Sequence, residues 1–568
     1  MSGYSRRTIL AGSAAGSLLV AAGRAQAQEE RLFRHGVASG DPAADSLLIW
    51  TRVTGAGDGP VGGRWQVASD AACRSIVASG RFEATAERDH CVKIVATGLE
   101  PGTSYYYRFE VDGQRSPIGR TRTLPTGRTD RLDIALACCG MYMFGEFHGY
   151  HAIAEQADLD LVLFVGDYIY EYGANAFPGV HDIRAIEPAH DTVTLADYRA
   201  RYAQWRRDPA LQAAHARAPW ICMWDDHEMA NDDWMHGAQH HDPAINGDWE
   251  VRKAAAVRAY LEWMPIRDPA PGSPYGIERS FVLGDLATLV LPETRLQARD
   301  RQLTLKEDLE YQVMDARDPA RPTVVVDKAL LATLDRTALP DGYRLEPDIA
   351  GFRNKIADPD RRMVGDKQLA WIGRELQAHV AAKRPWFLLG SPTILSSYVY
   401  PDLTQLGKGP AALASFFAMT RYGLPMLNLD AWDGYPAERA RLYDIVEQSG
   451  ANMLVLSGDS HMAWVNEPHR DGRRLGLELS ASTITGPSIG ELMLPDGPVG
   501  EAFARDNQDV LWCDHRAVGY VSLTLRRNSV EGRFVRVTKP RSTEATTDIA
   551  MTARAVMQDG KPGGWTLG

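Results

Sequence analysis

The chain has 568 residues, of which 45% are hydrophobic and 24% charged, and carries a formal net charge of −11. That length exceeds one ordinary hydrophobic core and predicts either about three or four units or a large α/β domain with insertions. An acidic balance without any long run of lysine and arginine excludes a nucleic-acid partner, because phosphate neutralisation needs clustered cations.

The chain opens with Ser5-Arg6-Arg7-Thr8-Ile9-Leu10, then a weakly apolar Ala, Gly, Leu and Val stretch, then the small-residue site Ala25-Gln26-Ala27. This order reads as a twin-arginine export signal over residues 1–27. It predicts the twin-arginine machinery as a partner, folding before export, and a periplasmic or secreted location. The apolar core is too short and too rich in Gly and Ala to span a bilayer, and no spanning segment follows it. Cleavage removes three arginines and no acid, taking the net charge from −11 to −14. Six cysteines in a chain of this size are not a disulfide scaffold. Cys73 and Cys91 are a candidate pair, a bridge between the adjacent Cys138 and Cys139 would be strained, and Cys222 and Cys513 read as buried thiols.

Residues 28–125 read as an all-β unit of short alternating segments separated by Gly, Asp and Pro. The stretch Leu99-Glu100-Pro101-Gly102-Thr103-Ser104-Tyr105 resembles the loop and tyrosine corner of a fibronectin type III sandwich, with Tyr105, Tyr107 and Phe109 on one face of the next strand. A boundary is expected near Pro125-Thr126-Gly127, and residues 126–568 form the second domain. There strands alternate with helices. Leu132–Ala137 leads into Cys138-Cys139-Gly140, and a short helix is expected over 149–157. Leu161–Val165 is a continuous apolar run that ends in Gly166-Asp167, the pattern of a buried strand delivering a carboxylate at its C-terminal edge. The excursion 172–218 holds a helix opened by the capping signal Thr194-x-x-Asp197, whose stripe of Leu195, Tyr198, Tyr202 and Trp205 predicts a core face. Pro219–Trp224 is the next strand and ends in Asp225-Asp226-His227-Glu228; 281–291 reads as a hairpin around Gly284-Asp285. Residues 298–360, polar and weakly periodic, read as an insertion or lid. Helix 366–382 precedes strand 386–389, helix 436–449 precedes strand 453–456, and the latter ends in Gly458-Asp459-Ser460-His461. Strands 520–525 and 532–537 close the chain around a turn at Asn528-Ser529.

Four strand ends thus carry metal-capable side chains: Cys139, Asp167 with Tyr170, Asp226 with His227, and Asp459 with His461. One shared site explains them more simply than four accidents. The donors suggest two metals. Tyr170 phenolate, Cys139 thiolate and His461 imidazole favour a trivalent ion such as Fe3+; oxygen donors from Asp226, Asp459 and Asn231 favour Ca2+ or another divalent ion, with Asp167 as the bridge.

The motifs GDYIYE (166–171), WDDHE with Asn231 just beyond it, LSGDSH (456–461), HGVASGDP and LIWTRV (35–53) and WDGYPAER (432–439), in this order, resemble the PhoD-like alkaline phosphatases of the calcineurin-like metallophosphoesterases. The resemblance implies a four-layer αββα metallophosphoesterase domain behind a small fibronectin type III-like β-sandwich, an iron and calcium centre, and action on phosphate monoesters or diesters. Carried over by position, it implies Cys139, Asp167, Tyr170 and His461 for iron, and Asp167, Asp226 and Asp459 for calcium, with Asn231 a further calcium-side candidate. It also implies that His227 touches the substrate phosphate. The sequence departs from the family pattern at Ala137-Cys138-Cys139-Gly140, where Cys138 competes with Cys139, and at Leu291-Pro292-Glu293-Thr294-Arg295, where relatives usually show Asp in place of Glu293. The expected chemistry is metal-assisted transfer of a phosphoryl group to water, with Asp167 at its centre and His227 stabilising charge or protonating the leaving group. The alternatives are a phospholipase D-like diesterase and an exported non-catalytic binding protein.

Overall fold

The computed structural model describes residues 32–55, 57–177, 182–403, 429–492 and 497–568. The export signal over 1–27 lies outside the described residues. Strands Val37–Gly40, Ser46–Arg52 and Cys91–Thr97 make one layer of an N-terminal antiparallel sandwich; Val61–Ala68, Ile76–Ala84, Ser104–Val111, Gln114–Arg115 and Gly119–Arg122 make the other. The strict alternation in Ser104–Val111 turns Tyr105, Tyr107, Phe109 and Val111 inward against Leu47, Ile49, Val67 and Phe82. Tyr105 then turns its hydroxyl back to accept the Glu100 N–H at 2.8 Å, which closes the loop as the tyrosine corner expected there. Cys73 and Cys91 stay separate buried thiols, contrary to the candidate pairing. Cys73 sits in the turn between two strands of one layer, whereas Cys91 opens a strand of the other, paired with Arg52.

The sandwich does not end at a linker. Val37–Gly40 continues onto the edge of the next sheet through Gly40 and Trp220. Only glycine fits there, since a Cβ on Gly40 would lie 2.0 Å from the Pro265 carbonyl oxygen. Beyond that edge run, in spatial order, Trp220–Met223, Leu161–Val165, Arg131–Gly140, Gly519–Arg526, Ser529–Thr538 and Thr546–Gln558. The first three are parallel, with Val162 opposite Trp220 and Leu161 opposite Ile134. A second sheet orders Arg279–Leu283, Ala287–Leu291, Trp386–Gly390, Met453–Ser457, Gly476–Ser480, Ala463–Asn466 and Val510–Asp514, parallel in its middle and antiparallel at both ends.

Alternation along this second sheet fixes the layering. Leu289, Leu388, Leu454 and Leu456 face the first sheet and join the main core. Val290, Phe387, Leu389, Met453 and Val455 face outward onto Leu369, Ile372 and Leu376 of helix Gly365–Ala381 and onto Leu442 and Val446 of helix Pro436–Ser449. Helices His148–Glu155 and Pro209–Arg217 cover the first sheet with Tyr150, Ile153, Leu211 and Ala214. The result is helix, sheet, sheet, helix, and it brings the C-terminal ends of both parallel strand sets to one edge.

The helix Leu195–Trp205 opens with both halves of the Thr194/Asp197 capping box, and Tyr198, Tyr202 and Trp205 are buried as its stripe predicts. Residues 298–360, read as an insertion, form their own small unit. A three-stranded sheet over Tyr311–Asp315, Thr323–Val324 and Tyr343–Pro347 packs with short helices, and Leu303, Leu309, Phe352 and Ile356 make a separate apolar cluster. The long helix Trp249–Trp263 and the 13-residue strand Thr546–Gln558 were not anticipated. That strand is an outer one whose first half faces solvent on both sides, so its apolar alternation is faint.

Replacing Tyr105 by Phe removes one buried hydroxyl and strands the Glu100 N–H. We expect a loss of about 1 kcal/mol, seen as a lower thermal midpoint, with catalytic constants unchanged. An unaltered midpoint would show that the corner contributes nothing to the sandwich.

Candidate metal centre

Each donor sits at or beyond the C-terminal end of a strand, Cys139 within the last two residues of Arg131–Gly140 and the others in the loops that follow their strands. Cys139, Asp167, Asp459 and His461 all adopt left-handed backbone, with φ of 56°, 59°, 66° and 53°. Such conformations cost free energy for residues other than glycine and persist only where the surroundings hold them. They aim the side chains into the cleft between the sheets. Two glycines let the loops approach. A Cβ on Gly166 would lie 2.5 Å from the Asp225 Cβ, and one on Gly458 would lie 2.5 Å from the Cys138 Sγ.

Three overlapping sets of donors result, each with its ligand atoms within 4.8 Å of one another: Cys139, Asp167 and His461; Asp167, Asp226 and His227; Asp167, Asp225 and Asp459. Asp167 is common to all three. In the first set the Cys139 Sγ lies 3.4 Å from Asp167 Oδ2, and the Tyr170 hydroxyl lies 3.0 Å from both that oxygen and the His461 Nε2. The His461 Nδ1 donates to the Pro487 carbonyl at 2.8 Å, leaving Nε2 as the acceptor that faces the cluster. Burial pushes His461 down to about 4 despite that carbonyl, so the imidazole is neutral. Cys138 is not in this set. Its thiol packs under Gly458 and points to the Ala481 and Ser482 carbonyls at 3.6 and 3.4 Å.

Burial pushes the acids Cys139, Asp167, Tyr170 and Asp459 well above their ordinary ranges, and neighbouring acids push each of them the same way. Asp167 Oδ1, Asp225 Oδ2 and Asp226 Oδ1 are buried with no hydrogen-bond partner. Buried carboxylate oxygens left unpaired are expensive, and a cation at their focus is what would compensate them. The residues therefore fit a metal cluster.

His227 stacks on the Tyr170 ring at 4.1 Å and donates from Nδ1 to Glu171 at 2.8 Å. Burial alone would lower its pKa, but Asp226, Asp167 and Glu171 outweigh it and hold His227 well above the usual imidazole range. Glu171 is fully enclosed: its other oxygen takes the His240 Nδ1 at 2.9 Å and the Asn231 N–H at 2.7 Å. Against the upward push of burial, His227 and His240 keep the Glu171 carboxylate ionised. The Asn231 side chain is engaged elsewhere, accepting from the Tyr172 hydroxyl and donating to Gln239, both at 2.8 Å.

Asp225, Glu171, Glu228 and Arg295 were missed. Glu228 grips both candidate donor loops at once, accepting the N–H groups of Asp167, Tyr168 and Asp225 at 3.1, 2.5 and 2.8 Å. Its position within WDDHE was visible, but a carboxylate that serves backbone amides has no signature beyond being buried.

The comparison with known proteins agrees with this geometry. The PhoD-like phosphatase model matches residues 134–534, and that of the PhoD-like phosphatase N-terminal domain matches 19–125. Alkaline phosphatase D of Bacillus subtilis (strain 168) is 32% identical over 474 residues, covering 80% of this chain and 69% of that protein. A solved structure of PhoD superposes with a TM-score of 0.75 at 27% identity, covering 94% of this chain and 92% of the other. Its sandwich, its paired sheets and the family match across most of its length establish that the chain belongs to the PhoD-like phosphatase family.

Proposed function

We propose that this chain is an exported metal-dependent phosphoesterase that hydrolyses phosphate monoesters, diesters or both at the centre built on Asp167. The observation that carries the reading is the convergence of three donor sets on that one carboxylate, in a member of a phosphatase family. Cys139, Asp167, Tyr170 and His461 would hold Fe3+. Asp167, Asp226 and Asp459 would hold Ca2+ or another divalent ion, with Asp225 beside them and the second lone pair of the Asn231 Oδ1 within the same loop. Ions of this kind supply an activated water and offset charge on the phosphoryl oxygens.

The chain's own residues do the rest. The protonated His227 keeps its Nδ1–H on Glu171 and has its Nε2–H free for the leaving-group oxygen. Tyr170, stacked on its ring, fixes the plane in which that proton is offered.

Residues 1–27 support export by the twin-arginine route to the periplasm or beyond. No helix among the described residues is long and apolar enough to cross a membrane. With Arg6 and Arg7 both replaced by Lys, cell fractionation should find the full-length precursor inside; undiminished export would remove this route from the proposal.

The central test compares a chromogenic phosphate monoester with the matching diester, using protein purified with its native metals, beside elemental analysis for iron and calcium. We expect hydrolysis, both metals, and loss of both metals and activity in Asp167→Asn. A faster monoester assigns a phosphatase proper, a faster diester the phospholipase D-like alternative, and silence on both with metals bound would sink the enzyme reading. For His227→Ala we expect kcat to fall about 10²–10⁴-fold, most for poor leaving groups. Asp226, Asp167 and Glu171 together raise His227, and Glu171→Gln removes the last of these charges, so activity should be lost at a lower pH as the pH rises. An alkaline limb left in place would take Glu171 out of the mechanism.

A further inference from the structure

The geometry points to Arg295 as a positioning residue for the metal centre, an inference that rests on the metal reading above. Its side chain is fully buried beside the donor cluster. Nε donates to Asp225 Oδ1 at 2.5 Å, while Nη1 and Nη2 each donate to one oxygen of Asp430 at 2.7 Å. Asp226 and Asp233 stand farther off, at 3.7 and 3.9 Å. The fork divides the two oxygens of Asp225. Oδ1 is spent on the guanidinium, and Oδ2 is left buried and without a partner, in a residue whose donor atom lies within 4.8 Å of those of Asp167 and Asp459. Asp225 can therefore offer a cation one oxygen in one orientation, and Arg295 sets which.

Arg295 is itself held from two sides. Asp430 is shared with Arg299, whose Nη2 donates to Oδ1 at 2.5 Å, so the bidentate pair cannot swing away. The backbone of Arg295 is held by Glu293, which accepts the N–H groups of Arg295, Leu296 and Gln297, each at 2.8 Å, and also the Trp224 Nε1–H at 2.9 Å. Trp224 directly precedes Asp225 in the chain. The Glu293 carboxylate binds the Arg295 turn and the residue before Asp225 together. Asp225 is thus fixed at its side chain by Arg295 and next to its backbone by Trp224, both through Glu293.

The test is calcium binding by the full-length chain, measured by equilibrium dialysis against calcium alone, for wild type, Arg295→Lys and Asp430→Asn. Lysine keeps the charge but cannot hold Asp225 and Asp430 at once. Asp430→Asn leaves every donor of the centre intact and loosens the far end of the fork together with the Arg299 contact that shares it, so it carries the test should the Arg295 variant fail to fold. Both variants should bind calcium about 10–100-fold more weakly, as loss of an outer support does at other metal sites. Excess calcium should restore kcat, and the thermal midpoint without calcium should fall in Asp430→Asn, because two buried guanidinium groups lose a charged partner. Unchanged calcium affinity in a folded variant, with or without a lower midpoint, would reduce Arg295 to a structural ion pair. A wild-type chain that takes up no calcium would overturn the metal reading itself, whereas equal binding by wild type and variants would overturn the role of Arg295 alone.

Discussion

The burial of like charges around Asp167 is the constraint from which the rest follows. Two carboxylates about 4 Å apart repel by about 4 kcal/mol where the effective dielectric constant is near 20, and Asp167 has Asp225, Asp226 and Asp459 as neighbours. No chain gathers such groups by default. They meet here because strand ends of two different sheets deliver them to the same edge, with the donor residues held in left-handed backbone and Gly166 and Gly458 allowing the loops to touch. Left-handed backbone at Cys139, Asp167, Asp459 and His461 coincides here with repulsion between buried carboxylates, which marks a site organised for a ligand and not for stability.

Buried glutamates supply much of the rigidity that holds this arrangement. Glu228 ties the loop after Leu161–Val165 to the loop after Trp220–Met223. Glu293 caps the turn that carries Arg295. Glu478 accepts from the N–H groups of Leu395 and Ser396 and the Ser457 hydroxyl, and Glu438 holds the N–H groups of Met363, Val364 and Gly365. Each spends a buried carboxyl group on donors in segments that turn away from regular structure, leaving those donors paired where no backbone partner faces them. Loops fixed in this way behave as extensions of the strands, which is what a multi-donor centre needs if its ligand atoms are to stay in place.

This division explains what was legible in the sequence. The Leu161–Val165 run, the capping box at Thr194 and the hairpin around Gly284 are local patterns with local causes, and each was found where its residues predicted. The candidate donors Cys139, Asp167, Asp226, Asp459 and His461 were legible because each stands at or within four residues of the C-terminal end of an apolar strand. Asp225, Glu171 and Arg295 were not, because their roles depend on which loop lies opposite them. Arg295 is 70 residues from Asp225 and 135 from Asp430 in sequence, and nothing local marks it as their partner. The Cys73 and Cys91 pairing failed for the same reason: nearness in sequence says nothing about which layer of a sandwich a residue joins.

The positive groups around the centre complete the argument. His227 and Arg295 both approach the carboxylates, yet they are held differently. Arg295 is fully buried and keeps its charge in every state of the protein, so it can only orient and offset. His227 can lose its proton, and its partner Glu171 is in turn bonded to His240, which is partly exposed and faces Asp191 at 3.2 Å. One cation is therefore a fixture of the metal centre and the other belongs to a hydrogen-bonded chain that runs from the cleft toward solvent. On the proposed reading, a centre that holds metals while moving a proton would use both kinds, and the two are kept apart: Arg295 contacts Asp225 and Asp430, His227 contacts Glu171, which contacts His240.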